Sequence, residues 1–506
     1  MSATVQISSG QLRGGHENGV HVFRGIPYAA PVSGANRFRP PQPVEPWSGV
    51  RDASVNGQIS LQVELPPPFG QPLPPAGPDC LNLNVWTPDP SASGLPVFVW
   101  IHGGAFYGGS GIEHVYDGAS FARNGVVCVT INYRLGAQGF LHLADHFPQF
   151  ADSGNCGLLD QIEALRWVKK NISAFGGDPN RVTIAGESAG GMSVTTILAT
   201  PSAKGLFQQA IPQSGAGHNG ISAPTASRIA GVVLSRLGVA PGDIDALNAV
   251  SDEKLLEVQV ALIAEAGSTR DPEIFGEAAP STMPFQPVYG TFVLPQQPIS
   301  AVAAGSAADV SMLIGTTKDE SVVFVVAMAE LFNEGMVKGL LQATFGDAEK
   351  GEAAFRLYQS NRPGALPFQI TGAVESDRMF IVPALRLAEA QTKYNKNVWM
   401  YRFDWGTPIY DGMLGACHAL ELAFVFNNLK DPRASYLVGP DGPQQLADNV
   451  HSAWVNFTKN GSPEHSGIPT WPRFDSQRRP TMLFDMECKV VDRPNEEEVS
   501  LWAGIL

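Results

Sequence analysis

The sequence predicts an α/β protein: a central, mostly parallel sheet flanked by helices, with further helical segments inserted over it. Three observations predict this. From Pro96 onward, apolar β-rich runs alternate with segments whose apolar residues recur at helical spacing. The β-rich runs are continuously apolar, as strands covered on both faces must be. Hydrophobic residues make up 44% of the 506 and charged residues only 16%, where about 25% charged is usual, so a large core is available and disorder is excluded.

The elements follow in chain order. The N-terminal MSATVQISSGQLRGG alternates apolar and polar residues and reads as strand, without the basic start and apolar stretch of a secretory leader. Glu64 to Asp79, ELPPPFGQPLPPAGPD, is crowded with prolines that suit neither a helix interior nor a central strand, and it reads as a surface loop. LPVFVWI, VVCVTINY and RVTIAG are strands, and LLDQIEALRWVKKNISAF is a helix between the last two. Later strands are QQAIPQSG from Gln208, VSMLIGT from Val310 and NVWMYRFDW from Asn397, with helical stretches between them at PTASRIAGVVLSRLGV and at Met336 to Phe345. We read 1–506 as one domain in which 216–305 and 325–395 form cap insertions over the sheet edge.

Several function classes are excluded on composition. Lys plus Arg total 34 against 48 acidic residues, a formal charge of −14, and a surface this acidic repels phosphate backbones, so no nucleic-acid partner is expected. Apolar runs end at Gly or Pro after fewer than ten residues, short of the roughly 18 that span a bilayer, so no membrane association is expected either. The five cysteines (Cys80, Cys128, Cys156, Cys417, Cys488) show no CxxC spacing, which predicts neither a disulfide framework nor a metal site. A cytoplasmic protein is the expectation.

The strongest chemical signal is RVTIAGESAGG, with Ser188 at the centre of a GxSxG run. A strand, Val182 to Ala185, leads into it, and Met192, Val194, Ile197 and Leu198 continue beyond it as a helix, the context this motif needs. A serine on so sharp a turn is strained, and its neighbours two residues away must be glycine for strand and helix to approach. A serine nucleophile also needs donors for an oxyanion. The HGGA run His102 to Ala105 offers them, because glycine-rich backbone presents N–H groups without intervening side chains. The expected oxyanion donors are the amides of Gly104, Ala105 and Ala189, with His102 as scaffold behind the loop.

In this arrangement the acid and then the histidine follow the serine along the chain. His418, in the loop GMLGACH beyond a strand, is preferred to His451, which sits in a helical run, and to His465 near the end. For the acid, the loop after VSMLIGT offers Asp319 and Glu320, and spacing does not choose between them. Aromatic and apolar residues near these positions, Phe106, Tyr107, Val322, Val323 and Phe324, point to an apolar pocket for uncharged alkyl or aryl groups.

Together with FRGIPYAAP, NRFRPPQP, DCLNLNVWTP, INYRLGAQGFL and the long stretch from GLLDQIEALRW to GESAGG, these motifs resemble the type-B carboxylesterase and cholinesterase family of α/β-hydrolases, and its para-nitrobenzyl-esterase-like bacterial branch, over essentially the whole chain. The resemblance implies a serine carboxylic-ester hydrolase working through an acyl-enzyme. In it Ser188 is the nucleophile, Glu320 the acid in preference to Asp319, and His418 the base, with a small-molecule ester as partner and no cofactor. It further implies a structural ion pair between Arg134 and Asp160. It also leaves two alternatives, acyl transfer to another acceptor and a non-catalytic adhesion role on the same fold. Secreted relatives pair the cysteine at the position of Cys80 with one upstream, and this chain has none there.

Overall fold

The computed structural model describes residues 2–63 and 74–506, so most of the proline-rich stretch read as a surface loop lies outside the described residues. Sixteen strands occur among the described residues. They are β1 Thr4–Ile7, β2 Gly10–Arg13, β3 Gly15–Glu17, β4 Val20–Pro27, β5 Val50–Asp52, β6 Asn82–Thr87, β7 Leu95–Ile101 and β8 Val127–Ile131. The series continues with β9 Gly177–Glu187, β10 Gln209–Gln213, β11 Ile221–Ser222, β12 Val288–Tyr289, β13 Ser311–Thr317, β14 Val398–Phe403, β15 Pro480–Phe484 and β16 Lys489–Asp492.

The chain divides into two compact units, one of Met1–Ile211 and Gly217–Val310, the other of Pro212–Ala216 and Ser311–Leu506. Six strands of the principal sheet belong to the first unit in the order β9-β7-β8-β6-β4-β3. β9, β7 and β8 run parallel, whereas β6, β4 and β3 add antiparallel pairings at one edge. In the second unit β13, β14 and β15 are parallel and β16 closes that run antiparallel. The predicted mixture of parallel strands and covering helices is therefore present in each unit.

The apolar runs explain the placement. β6, β8 and β14 are buried at every residue and β7 at all but its first. Strands of this kind need cover on both faces. In the first unit helix Cys156–Asn171 packs against β9, and its Leu158, Ile162, Leu165 and Val168, which recur every three or four residues, are all buried. Helices also fill the stretches expected as insertions: Ala223–Leu237 and Asp252–Thr269 in the first unit, Glu334–Phe345, Ala348–Ser360 and Pro367–Ser376 in the second. The last three share an apolar cluster that includes Val337, Leu341, Phe345, Phe355, Tyr358 and Trp502.

One strand begins earlier than its hydrophobicity suggests. The pattern predicts strand from Val182, yet β9 starts at Gly177 and carries Pro179 within it. A register shift against β7 between Leu95 and Val97 accommodates this polar start. A proline cannot donate to a ladder, and such residues are tolerated where the pairing is interrupted.

The Arg134–Asp160 pair is fully buried. The guanidinium grips the carboxylate with two parallel bonds, Nε to Oδ2 at 2.7 Å and Nη2 to Oδ1 at 2.6 Å, and Arg134 N–H donates to Oδ2 as well. Nη1 reaches the carbonyl of Arg39. So many charge-assisted bonds are what a buried ion pair requires to offset its desolvation.

Candidate active site

β9 ends at Glu187 and helix Ala189–Leu198 begins two residues later, leaving Ser188 as the hinge with φ 57° and ψ −126°. Its neighbours Glu187, Ala189 and Gly190 are buried while Ser188 is half-buried, so the turn pushes its side chain outward. The flanking glycines are needed for space. A Cβ on Gly186 would lie 2.6 Å from Gly190 and from the carbonyl oxygen of Ile101, and one on Gly190 would lie 2.0 Å from that same oxygen. The turn thus shows measurable crowding between β7 and the helix, where only glycine fits at 186 and 190.

The glycine loop after β7 presses on this turn. A Cβ on Gly103 would stand 2.7 Å from the carbonyl oxygen of Glu187 and 3.1 Å from Ser188 Cβ. Gly104, Ala105 and Phe106 all take positive φ, 108°, 53° and 64°. Amides of Tyr107 and Gly108 both donate to the carbonyl of Gly104, closing the turn. The amide of Ala189 is the first of its helix, one of those that intrahelical bonding leaves over. His102 lies behind the loop: its Nδ1 is 2.8 Å from the carbonyl oxygen of Gly103, its ring stacks on Tyr133, and burial lowers its pKa to about 4. It is a neutral structural histidine.

The second unit holds the other polar pair. Glu320 follows β13, and its carboxylate is wholly buried. One oxygen accepts the Thr317 amide at 2.8 Å and the other faces His418 Nδ1 at 2.6 Å. His418 is 3% exposed, and its amide donates to the Glu320 carbonyl. A carboxylate held in this way on Nδ1 orients the ring and leaves Nε2 to deal with a substrate proton. Asp319 does a different job. Its Oδ2 accepts the Ala416 amide at 3.0 Å and its own amide donates to the Ala416 carbonyl, bracketing the loop that delivers His418. His451 lies in helix Gln444–Asn460 with Nδ1 on the Val425 carbonyl, and His465 rests on the Asn449 carbonyl.

Two residues near His418, Phe380 and Glu421, were missed by sequence reasoning. Phe380 places its ring 4.9 Å from the imidazole centroid, and Phe324, which was among the predicted pocket residues, lies at 5.2 Å. Glu421, one helical turn past His418, is buried and accepts from Gln213 Nε2 at 3.0 Å, while Trp454 Nε1 donates to Gln213 Oε1 at 2.8 Å. Burial, and then the nearby Glu320 charge, push its carboxyl up to about 7. Its spacing of three residues from His418 was the available signal. Phe380 offered none, standing 60 residues beyond the acid.

The remaining expected pocket residues differ in exposure. Phe324 is 45% exposed and Tyr107 half-buried. Val322 and Val323 are buried, Val322 against Gly372, and Phe106 is fully buried with its ring on Phe140. Among the described residues there is no cluster of three His, Cys, Asp or Glu able to hold a metal, and no helix is long and apolar enough to cross a membrane.

A strained serine between a parallel strand and its following helix marks the α/β-hydrolases, and known proteins narrow that class. Residues 1–502 match the carboxylesterase family, and the chain belongs to it. It is 42% identical to the para-nitrobenzyl esterase of Bacillus subtilis, covering 97% of this chain and 96% of that one. Phenmedipham hydrolase of Pseudarthrobacter oxydans is 36% identical, with 92% of each covered. Among solved structures, a carboxylesterase of Geobacillus stearothermophilus superposes with a TM-score of 0.86 at 38% identity over 99% of both chains. The protein is a carboxylesterase of the serine hydrolase type, with the α/β-hydrolase fold.

Proposed function

We propose that the enzyme cleaves uncharged alkyl or aryl esters through an acyl-enzyme, with Ser188, His418 and Glu320 as triad and the amides of Gly104, Ala105 and Ala189 as oxyanion hole. The observation that carries this reading is the buried 2.6 Å contact of Glu320 with His418 Nδ1, because an imidazole so fixed serves as a base through its other nitrogen. Ser188 Oγ bonds to the ester carbonyl carbon as His418 takes the hydroxyl proton. The oxyanion that forms is met by the three amides. When the carbon–oxygen bond to the alcohol breaks, His418 returns the proton to the departing oxygen. Water then attacks the acyl-enzyme by the same route, releasing the acid and restoring Ser188.

In this reading the pocket is apolar, with Phe106, Tyr107, Val322, Val323 and Phe324 as its candidate residues and 216–305 and 325–395 as cap insertions. Its partner is a small-molecule ester, as the name para-nitrobenzyl esterase says of that relative. A cytoplasmic setting belongs to the same reading, since all five cysteines are free, as a reducing compartment keeps them.

An organophosphonate should form one adduct, on Ser188, and lose it in Ser188→Ala. Adduct elsewhere would overturn the assignment. Substrate charge is tested separately. No tryptophan lies between Trp47 and Trp86, and Val323 stands three residues past Glu320, so we expect no aromatic cradle for a quaternary ammonium. A choline ester should therefore be hydrolysed no faster than its uncharged neohexyl isostere. A choline preference above about tenfold in kcat/KM, or roughly 1.4 kcal/mol, would refute the uncharged-ester reading.

A further inference from the structure

Helix Pro367–Ser376 does not end where its hydrogen bonding changes. It runs through a π-turn, Asp377–Ile381, into helix Val382–Thr392. The cause is in the sequence. Pro383 has no N–H, and its ring would strike the carbonyl four residues back, so the backbone widens by one residue. The Val382 amide accordingly donates to the carbonyl of Asp377, five residues before it. Such turns cost helical regularity and are retained mostly where they aim a side chain.

Here the turn touches His418 and the backbone next to Glu320. Ser376 Oγ, at its entrance, accepts the amide of Ser321, the residue after Glu320, at 2.9 Å and donates to the Gly372 carbonyl at 2.6 Å. Phe380, within it, lies on the His418 ring at 4.9 Å and 41°. The turn is itself anchored from the helical core of the second unit. Asp377, 1% exposed, accepts the Tyr358 hydroxyl at 2.5 Å, and that hydroxyl accepts Trp502 Nε1 at 3.1 Å. Tyr358 is fully buried in the apolar cluster, and Arg362, held by Glu498, lies over its ring.

We propose that Tyr358 and Asp377 are positioning residues for ester hydrolysis: their buried hydrogen bond fixes the π-turn, and the turn holds Phe380 on the face of His418 so that the imidazole keeps the orientation Glu320 gives it. The inference rests on His418 being the base. A ring packed against the imidazole at 4.9 Å restricts its rotation about the Cα–Cβ and Cβ–Cγ bonds. That restriction matters to the proton transfer and little to substrate affinity.

The test is a mutational cycle on the full-length enzyme with one uncharged aryl ester, together with the rate of phosphonate labelling of Ser188. Phe380→Ala should lower kcat by about tenfold or more, slow labelling by a similar factor, and change KM less than about threefold. Tyr358→Phe should lower kcat about threefold to tenfold alone, yet add nothing in the Phe380→Ala background, since it acts through that ring. Asp377→Asn, which keeps an oxygen acceptor, should restore most of what Asp377→Ala loses. Phe380→Leu serves if the alanine variant does not fold, and is expected to show a smaller loss in kcat at constant KM.

Wild-type kcat in folded Phe380→Leu or Tyr358→Phe, with only a lower Tm, would overturn the proposal, as would losses that multiply in the double variant. His418→Ala separates the two levels of argument. Activity surviving in His418→Ala removes the base assignment itself, whereas an inactive His418→Ala beside fully active Phe380 variants removes only the positioning role.

Discussion

At Ser188 the backbone stands in a region that residues with a Cβ avoid, at a cost of about 1–3 kcal/mol. Stability and activity should therefore separate there. Ser188→Ala is expected to lose on the order of 10⁶ in kcat, as removal of a serine nucleophile does elsewhere, while its Tm stays near wild type. Ser188→Gly should be equally inactive but more stable, by about 1 kcal/mol, because glycine occupies this conformation without strain. A thermal melt of the three proteins decides it: a glycine variant less stable than the alanine one would mean that the turn is not strained.

Glu320 and Asp319 make the second residue-scale case. Glu320→Gln is expected to lower kcat by several orders of magnitude by removing the anion on Nδ1. Asp319→Asn keeps an oxygen for the Ala416 amide and should stay within a few-fold of wild type; the reverse ranking in kcat would exchange their roles. Ser188 was legible in the sequence because the steric demands of its turn fall on residues two positions away. The choice between two adjacent carboxylates was not legible from spacing, since what separates them is a one-residue difference in direction, read only from what each oxygen accepts.

Among the elements, two glycines, Gly190 and Gly339, play opposite parts. Gly190 lies where a Cβ would meet the Ile101 carbonyl at 2.0 Å, and backbone cannot swing aside as a side chain can. Gly190→Ala should thus cost about 3 kcal/mol or more, at the upper end of overpacking effects, or prevent folding. Gly339, exposed in the middle of helix Glu334–Phe345, has nothing within 4 Å of its Cβ position. Gly339→Ala should stabilise by about 0.5–1 kcal/mol, measured as a raised denaturation midpoint with an unchanged slope. No stabilisation would show that this helix is not ordered before global unfolding.

Elements with strong apolar periodicity, such as β7, β8 and helix Cys156–Asn171, were readable in the sequence because burial on fixed faces dictates their composition. The polar start of β9 and the π-turn at Asp377 were not. Each depends on a proline whose consequence is decided by its partners: a shifted register in one case, a widened helical turn in the other. Phe380 and Gln213 could not be found for a related reason. Their importance comes entirely from contacts across 38 and 208 residues, where no local pattern operates.

On the scale of the whole molecule, three carboxyls with raised pKa set a pH dependence. Burial pushes Glu113, Asp377 and Glu421 each up to about 7. Unfolded, such groups titrate near 4 to 4.5. Between those values the folded chain holds protons that the unfolded chain releases, so their contribution to stability is full below about pH 4 and is lost as pH rises through 7. Glu113→Gln tests this away from the candidate triad, as Gln retains an oxygen for the Ser110 amide that Glu113 now receives. The Tm of the variant should gain on wild type as pH goes from 5 to 8. Parallel curves would show that Glu113 ionises at the same pH folded and unfolded.

The division of the chain into units also has a consequence in time. Pro212–Ala216 belongs to the second unit although the residues on either side of it belong to the first. Its Gln213 is satisfied by Glu421 and by Trp454, the latter 241 residues later, and the Ser214 amide by the Gly315 carbonyl. At 5–20 residues per second, the ribosome makes Gln213 about 10–50 s before Trp454 exists. Through that interval the segment has to remain in water, because burying an amide without partners is costly. A nascent chain stalled before Trp454 should therefore be cut by protease around 212–216 while β7 and β9 already resist it, and this protein reaches its native state late, with only about a tenth of the chain still to come after Trp454.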